Sequence, residues 1–124
     1  MRTLLSVVLL VHGLIHAMGF AKAFDFAKLA QLKLPISRPL GVVWLLAGLA
    51  ICATAFLPWR WLWLVGIPAL LLSQVAIVCS WSDAKFGTIA NVLLLVAIIH
   101  SFAGFGPTSL RRAYESDVRQ RLDL

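Results

Sequence analysis

Four stretches of this chain carry no charged side chain: Thr3 to Ala21, Pro39 to Trp59, Trp61 to Ser82 and Phe86 to Leu110. The second and third are separated only by Arg60, and the fourth has its apolar core from Ile89 to Phe105. Each approaches the roughly 20 residues a helix needs to cross about 30 Å of hydrocarbon. Backbone polar groups in lipid must be paired internally, and these runs lack the apolar–polar alternation of barrel strands. The pattern predicts an all-α integral membrane four-helix up-down bundle with spans of about 3–21, 39–58, 61–82 and 88–105. The bundle would form one domain over residues 1–106, followed by a basic extramembrane tail at 107–124. Composition agrees, with 61% hydrophobic and 13% charged residues and a mean hydropathy of +0.94. A soluble domain of 124 residues has too little interior to bury that much apolar surface, so the excess must face lipid.

The first span has a signal-peptide look: Arg2, an apolar run and the small-residue site Ala21–Lys22–Ala23. Its apolar run is long for a signal core, so helix 1 is expected to be retained as a span. Four spans put both ends of the domain on one side. Lys22, Lys28, Lys33, Arg38 and Lys85 then lie on the loop side, against Arg2, Arg60, Arg111, Arg112, Arg119 and Arg121 on the other. Five against six leaves the orientation open. The net charge of +6 flanks the spans at both interfaces, which fits anionic lipid headgroups and not nucleic acid. Loop 1 (residues 22–38) has no helical period, yet Phe24, Phe26, Leu29, Leu32 and Leu34 make it too apolar for a free linker. It is expected to lie along the membrane surface. Pro39 suits the start of helix 2, and Trp59, Trp61, Trp63 and Trp81 read as an aromatic belt.

The segments HGLIHAMGFAKAF, LPISRPLG, LLSQ and WSDAKFGTIAN, between Val11 and Asn91, carry a resemblance. Together they resemble the N-terminal membrane region of a family of bacterial integral membrane proteins of unknown function. In that family a similar four-helix stretch precedes a longer extramembrane domain. The resemblance implies the four-helix fold and a place in the bacterial inner membrane. It implies no chemistry.

Chemistry must therefore come from polar residues at depth. With a rise of about 1.5 Å per residue, His12 falls near the midplane and His16 roughly 7 Å toward the loop side. Ser73, Gln74 and Asn91 fall in the same half, beneath a loop cap of Asp83 and Lys85. His12 and His16 share a helix face. Asn91 and His100 are half a turn out of phase and cannot serve one site. His100 lies beside a small-residue stripe of Ala90, Ala97, Ser101 and Gly104, so it is expected to face the bundle. Helix 2 carries a matching stripe of Gly41, Gly48, Cys52 and Ala55. Cys52 reads as a small packing residue, and Cys79 lies too far along the bundle axis to pair with it.

Three readings of the histidines compete. In the first, neutral His12 and His16 tie helix 1 to helix 3 or 4, with Gln74 the favoured partner. In the second they are ligands: histidines at i and i+4 can chelate a metal ion, and a haem b would need His12 opposite His100. The spans hold no Asp or Glu, which excludes a carboxylate di-iron site. In the third, a small transporter uses a histidine as its proton carrier. Phosphate-loop, G-x-S-x-G and H-E-x-x-H signatures are lacking, so hydrolase, kinase and nucleotide-binding readings have no support, and the balance leans away from an enzyme. The first reading leads: a structural or interaction module in the lipid bilayer, an accessory subunit of a larger membrane complex or a homo-oligomer.

Overall fold

The structure is a computed structural model that describes residues 2–26, 28, 32–107 and 109–123. It is helical throughout, with no strand among the described residues. The order is α1 (Arg2–Ala23), α2 (Arg38–Phe56), a 3-10 turn (Trp59–Trp61), α3 (Leu62–Cys79), α4 (Trp81–Ala84), α5 (Gly87–Phe105) and α6 (Leu110–Leu122). Four stretches, α1, α2, α3 with its preceding turn, and α5, are long and apolar enough to cross a membrane.

Local chemistry sets the helix ends. α1 stops where Asp25 enters the left-handed region at φ 58°. There Phe26 N–H donates to Ala21 O at 2.8 Å and Asp25 N–H to Lys22 O at 3.2 Å, which absorbs two terminal carbonyls. Asp tolerates this conformation better than most residues with a Cβ. Ser37 caps α2, its hydroxyl accepting from Leu40 N at 3.3 Å, and Pro39 sits in the first turn, where its missing N–H costs nothing. α2 ends ahead of Pro58, whose ring disfavours helix in the residue before it.

α1 and α2 pack closely because side chains are missing where they cross. A Cβ on Gly48 would lie 2.8 Å from Gly13 O, and one on Gly13 only 2.5 Å from Cys52 Sγ. Further along, a Cβ on Gly19 would fall 2.1 Å from the Trp44 ring, and one on Gly41 would fall 2.2 Å from Ala23 Cβ. The pairs 13–48, 19–44 and 23–41 run in opposite directions, so the two helices are antiparallel. The Gly41, Gly48 and Cys52 stripe therefore sits in the α1–α2 seam, with Gly41 against Ala23 and with Gly48 and Cys52 against Gly13. At the far end, Arg2 Nη2 donates to Thr54 O at 3.1 Å and to Leu57 O at 2.6 Å. A cation there also complements the C-terminal dipole of α2.

α3 and α5 are antiparallel too. Ser73 meets Asn91 near one end, and Trp63 N donates to Ser101 Oγ near the other. Ser101 is more than a small residue. Its hydroxyl donates to Trp59 O at 2.7 Å and locks the turn between α2 and α3. Leu9, Ile51, Leu62, Leu94 and Ile98 fill the core between the helices. Ala97 is buried with them, but Gly104 has open space where a Cβ would be, so it packs against nothing. Small size marks a contact only where a neighbour lies opposite.

From Leu32 onward, loop 1 is tied to the ends of α1 and α4. Lys22 Nζ donates to the carbonyls of Leu32 and Leu34, and Leu34 N donates to Asp83 Oδ2 at 2.7 Å. Leu32 is buried by this tether, whereas Phe26 stays exposed. Leu29, counted with the same apolar set, lies outside the described residues. The tail holds a helix that the sequence reading did not foresee. Ser109 caps α6 by accepting from Arg112 N, and Arg111–Glu115 and Asp117–Arg121 pair at helical spacing. That i, i+4 pattern was the available signal.

Candidate functional site

The polar residues on α1, α3 and α5 meet in one buried cluster at the loop-1 end. His12 is 5% exposed, His16 1%, Ser73 0% and Asn91 2%, so none of them can rely on solvent for a partner. Each finds one in the protein. His12 Nε2 lies 3.0 Å from Asn91 Oδ1 and 3.3 Å from Ser73 Oγ. His16 Nε2 lies 2.8 Å from Ser73 Oγ. Ser73 Oγ donates to Asn91 Oδ1 at 2.9 Å, and Asn91 Nδ2 donates to Gln74 Oε1 at 2.9 Å. Gln74 then reaches Thr88 Oγ1 at 3.4 Å.

The proton inventory fixes how these bonds are wired. Ser73 has one hydroxyl proton, and with that proton on Asn91 Oδ1 its oxygen must accept from His16 Nε2–H. Asn91 Oδ1 has no proton, so the His12 Nε2 facing it must donate as well. Both imidazoles thereby carry a proton on Nε2, and a second proton would put an unpaired charge in a buried site. The rings meet edge to face, with centroids 4.8 Å apart, a contact suited to uncharged imidazoles. The His16 ring also lies 5.1 Å from that of Trp44 on α2. One cluster thus touches all four long helices.

Each residue named from the sequence can now be placed. His12, His16, Ser73, Gln74 and Asn91 come together, but Gln74 is not the direct partner of a histidine. It lies one bond behind Asn91, because the inward face of α3 presents Ser73 and turns Gln74 aside toward Thr88. Thr88, which no sequence pattern singles out, stands one turn before Asn91 on α5. Asp83 closes this end through its bond to Leu34 N. Lys85 turns outward, with its ammonium 5.5 Å from the exposed Phe86 ring, and forms no part of the cap.

His100 is the main correction. It is exposed, not turned into the bundle, and its ring leans on Trp59 at 5.5 Å. The buried face of α5 runs through Asn91, Leu94, Ala97, Ile98 and Ser101, and His100 stands roughly 120° around the helix from its middle. It is also nine residues from Asn91, about 13 Å along the axis, whereas His12 touches Asn91. A haem held between His12 and His100 has no geometric basis. No group of three or more His, Cys, Asp or Glu side chains able to hold a metal occurs among the described residues. Cys52 and Cys79 are free thiols.

Compared with family models, curated proteins and solved structures, the chain matches none. The family resemblance therefore rests on the quoted sequence motifs alone.

Proposed function

We propose that this chain is a small multi-pass protein of the bacterial inner membrane, an up-down bundle of four spans that serves as a structural or interaction module. Its role would be that of an accessory subunit, presenting its outer faces to a larger membrane complex or to a second copy. The observation that carries this reading is the interhelical polar cluster. His12, His16, Ser73, Asn91 and Gln74 spend their hydrogen-bonding groups mainly on one another, across α1, α3 and α5. Such bonds join helices in an environment where apolar surfaces gain nothing by meeting. The outer faces agree with this setting. Val11, Leu14, Leu46, Leu71, Val92 and Val96 are exposed on the four long helices, an apolar surface far larger than a water-soluble monomer presents. The membership suggested by the sequence motifs belongs to the same proposal.

The test is made on protein purified from membranes in mild detergent. The module reading expects no Soret absorption and no stoichiometric metal, together with a lowered thermal midpoint for Asn91→Leu. A Soret band or one bound metal per chain, lost in His16→Phe, would replace it with the ligand reading.

A further inference from the structure

Where the turn between α2 and α3 meets the start of α6, residues far apart in sequence enclose a cavity of about 290 Å³. Arg60 comes from the turn, Arg111 and Arg112 come from α6, and Glu115 is the one carboxylate among the lining residues. Glu115 is taken by Arg111, at 2.9 Å. The guanidiniums of Arg60 and Arg112 pair with no carboxylate among the described residues, so the cavity carries a surplus of two positive charges. Like charges gathered at one place repel, and an anion from outside the chain relieves that repulsion.

The opposite wall is different in kind. Trp63, Gly104 and Phe105 line it, at the ends of the long apolar helices α3 and α5. A Cβ on Gly104 would have no neighbouring atom within 4 Å, so this small residue, which packs against no part of the protein, opens onto the cavity instead. The Arg111 guanidinium lies 4.8 Å from the Phe105 ring, which brings charge to the edge of the apolar wall. Trp61, also in the lining, is exposed, and tryptophan at the end of a span marks the headgroup level.

These two halves select among anions. A guanidinium recognises phosphate oxygens by paired, charge-assisted hydrogen bonds. A water-soluble phosphate uses the arginines and leaves the wall at Gly104 bare. A zwitterionic lipid covers that wall but brings its own cation toward the arginines. A phospholipid with a net negative headgroup matches both. Basic pockets at the ends of membrane helices hold such headgroups.

We propose that this cavity binds the headgroup of an anionic phospholipid, its phosphodiester met by Arg60 and Arg112 and its glycerol backbone lying against Gly104. The inference rests on the membrane reading given above.

The test is native mass spectrometry of the full chain, extracted from membranes in mild detergent and titrated with dioleoylphosphatidylglycerol or dioleoylphosphatidylcholine. The expected result is one retained phosphatidylglycerol per chain, with phosphatidylcholine about tenfold weaker, the effect of about one charge at the membrane surface. Arg60→Gln with Arg112→Gln should weaken phosphatidylglycerol about thirtyfold. Lys33→Gln with Lys85→Gln removes the same charge from exposed positions at the other end of the bundle and should leave the affinity unchanged. Gly104→Leu fills the apolar side and should lose the retained lipid with the thermal midpoint unmoved, a combination that a packing role for Gly104 does not give. Glycerol phosphate, the headgroup without its tails, should not displace the lipid at matched ionic strength. Equal retention of the two lipids would overturn the proposal, as would an equal loss in the lysine control. So would displacement by glycerol phosphate, which would assign the cavity to a soluble phosphate, or undiminished retention in the arginine or glycine variants. The membrane reading fails separately, if the chain is recovered in the soluble fraction before any detergent is added.

Discussion

Two seams hold this molecule together, and they work by opposite means. Along α1–α2 the helices approach through absent side chains: Gly13 and Gly48 lie where a Cβ would strike the facing backbone or thiol. Across α1, α3 and α5 the helices are joined by side chains that are present, in a chain from His16 through Ser73 and Asn91 to Gln74. The first seam has no slack, since backbone cannot move aside for a new group. The second has alternatives, because a polar group that loses one partner can turn toward another. The difference teaches that closeness and polarity are separate devices here, and that α1 carries both on adjacent residues, His12 and Gly13.

The largest effect should come from the glycine seam. Gly48→Leu is expected to destabilise the protein by about 3 kcal/mol, at the upper end for overpacking, because the clash is with backbone. Leu45→Ala on the same helix should cost less, and unfolding in mixed micelles measures both. Equal losses would mean that the close approach is not what holds α1 to α2. Next comes the centre of the polar seam. Asn91→Leu removes the acceptor of both His12 and Ser73 and should cost about 1–2 kcal/mol in the same assay. A neutral Asn91→Leu would show that the two donors find other acceptors and that the seam is decoration. The smallest effects belong to residues that resemble seam members but lie outside both. Gly104→Leu meets open space, and His100→Phe replaces an exposed ring, so each should stay within about 0.5 kcal/mol. A large loss at either position would reveal a contact that neither seam accounts for.

The four long helices were legible because charge-free length is a one-dimensional property. Their ends fell close to Arg2, Phe56, Cys79 and Phe105, and Pro58 and Pro107 follow two of them as local signals. The α2 stripe was also legible, since Gly41, Gly48 and Cys52 recur at helical spacing. The same rule misled on α5, where Gly104 is small and faces nothing. Helix phase brought His12 and His16 together but could not choose between Ser73 and Gln74, which are adjacent on α3. That choice depends on the rotation of α3 about its axis, and no pattern within a single helix fixes it. His100 was misplaced for a related reason. Standing next to a buried stripe is not being in it, and one step along a helix turns a side chain by about 100°.

The central claim is that the histidines are bonded into the helices through Ser73. The most direct measurement is a double-mutant cycle of His16→Phe and Ser73→Ala, read as unfolding free energy in mixed micelles. It is to be compared with a cycle of His16→Phe and Gln74→Leu. The account predicts a coupling of about 0.6–1.7 kcal/mol for His16 with Ser73, and a smaller one for His16 with Gln74, which His16 does not touch. Additivity of His16 and Ser73 within about 0.3 kcal/mol, or a stronger coupling to Gln74, would contradict it.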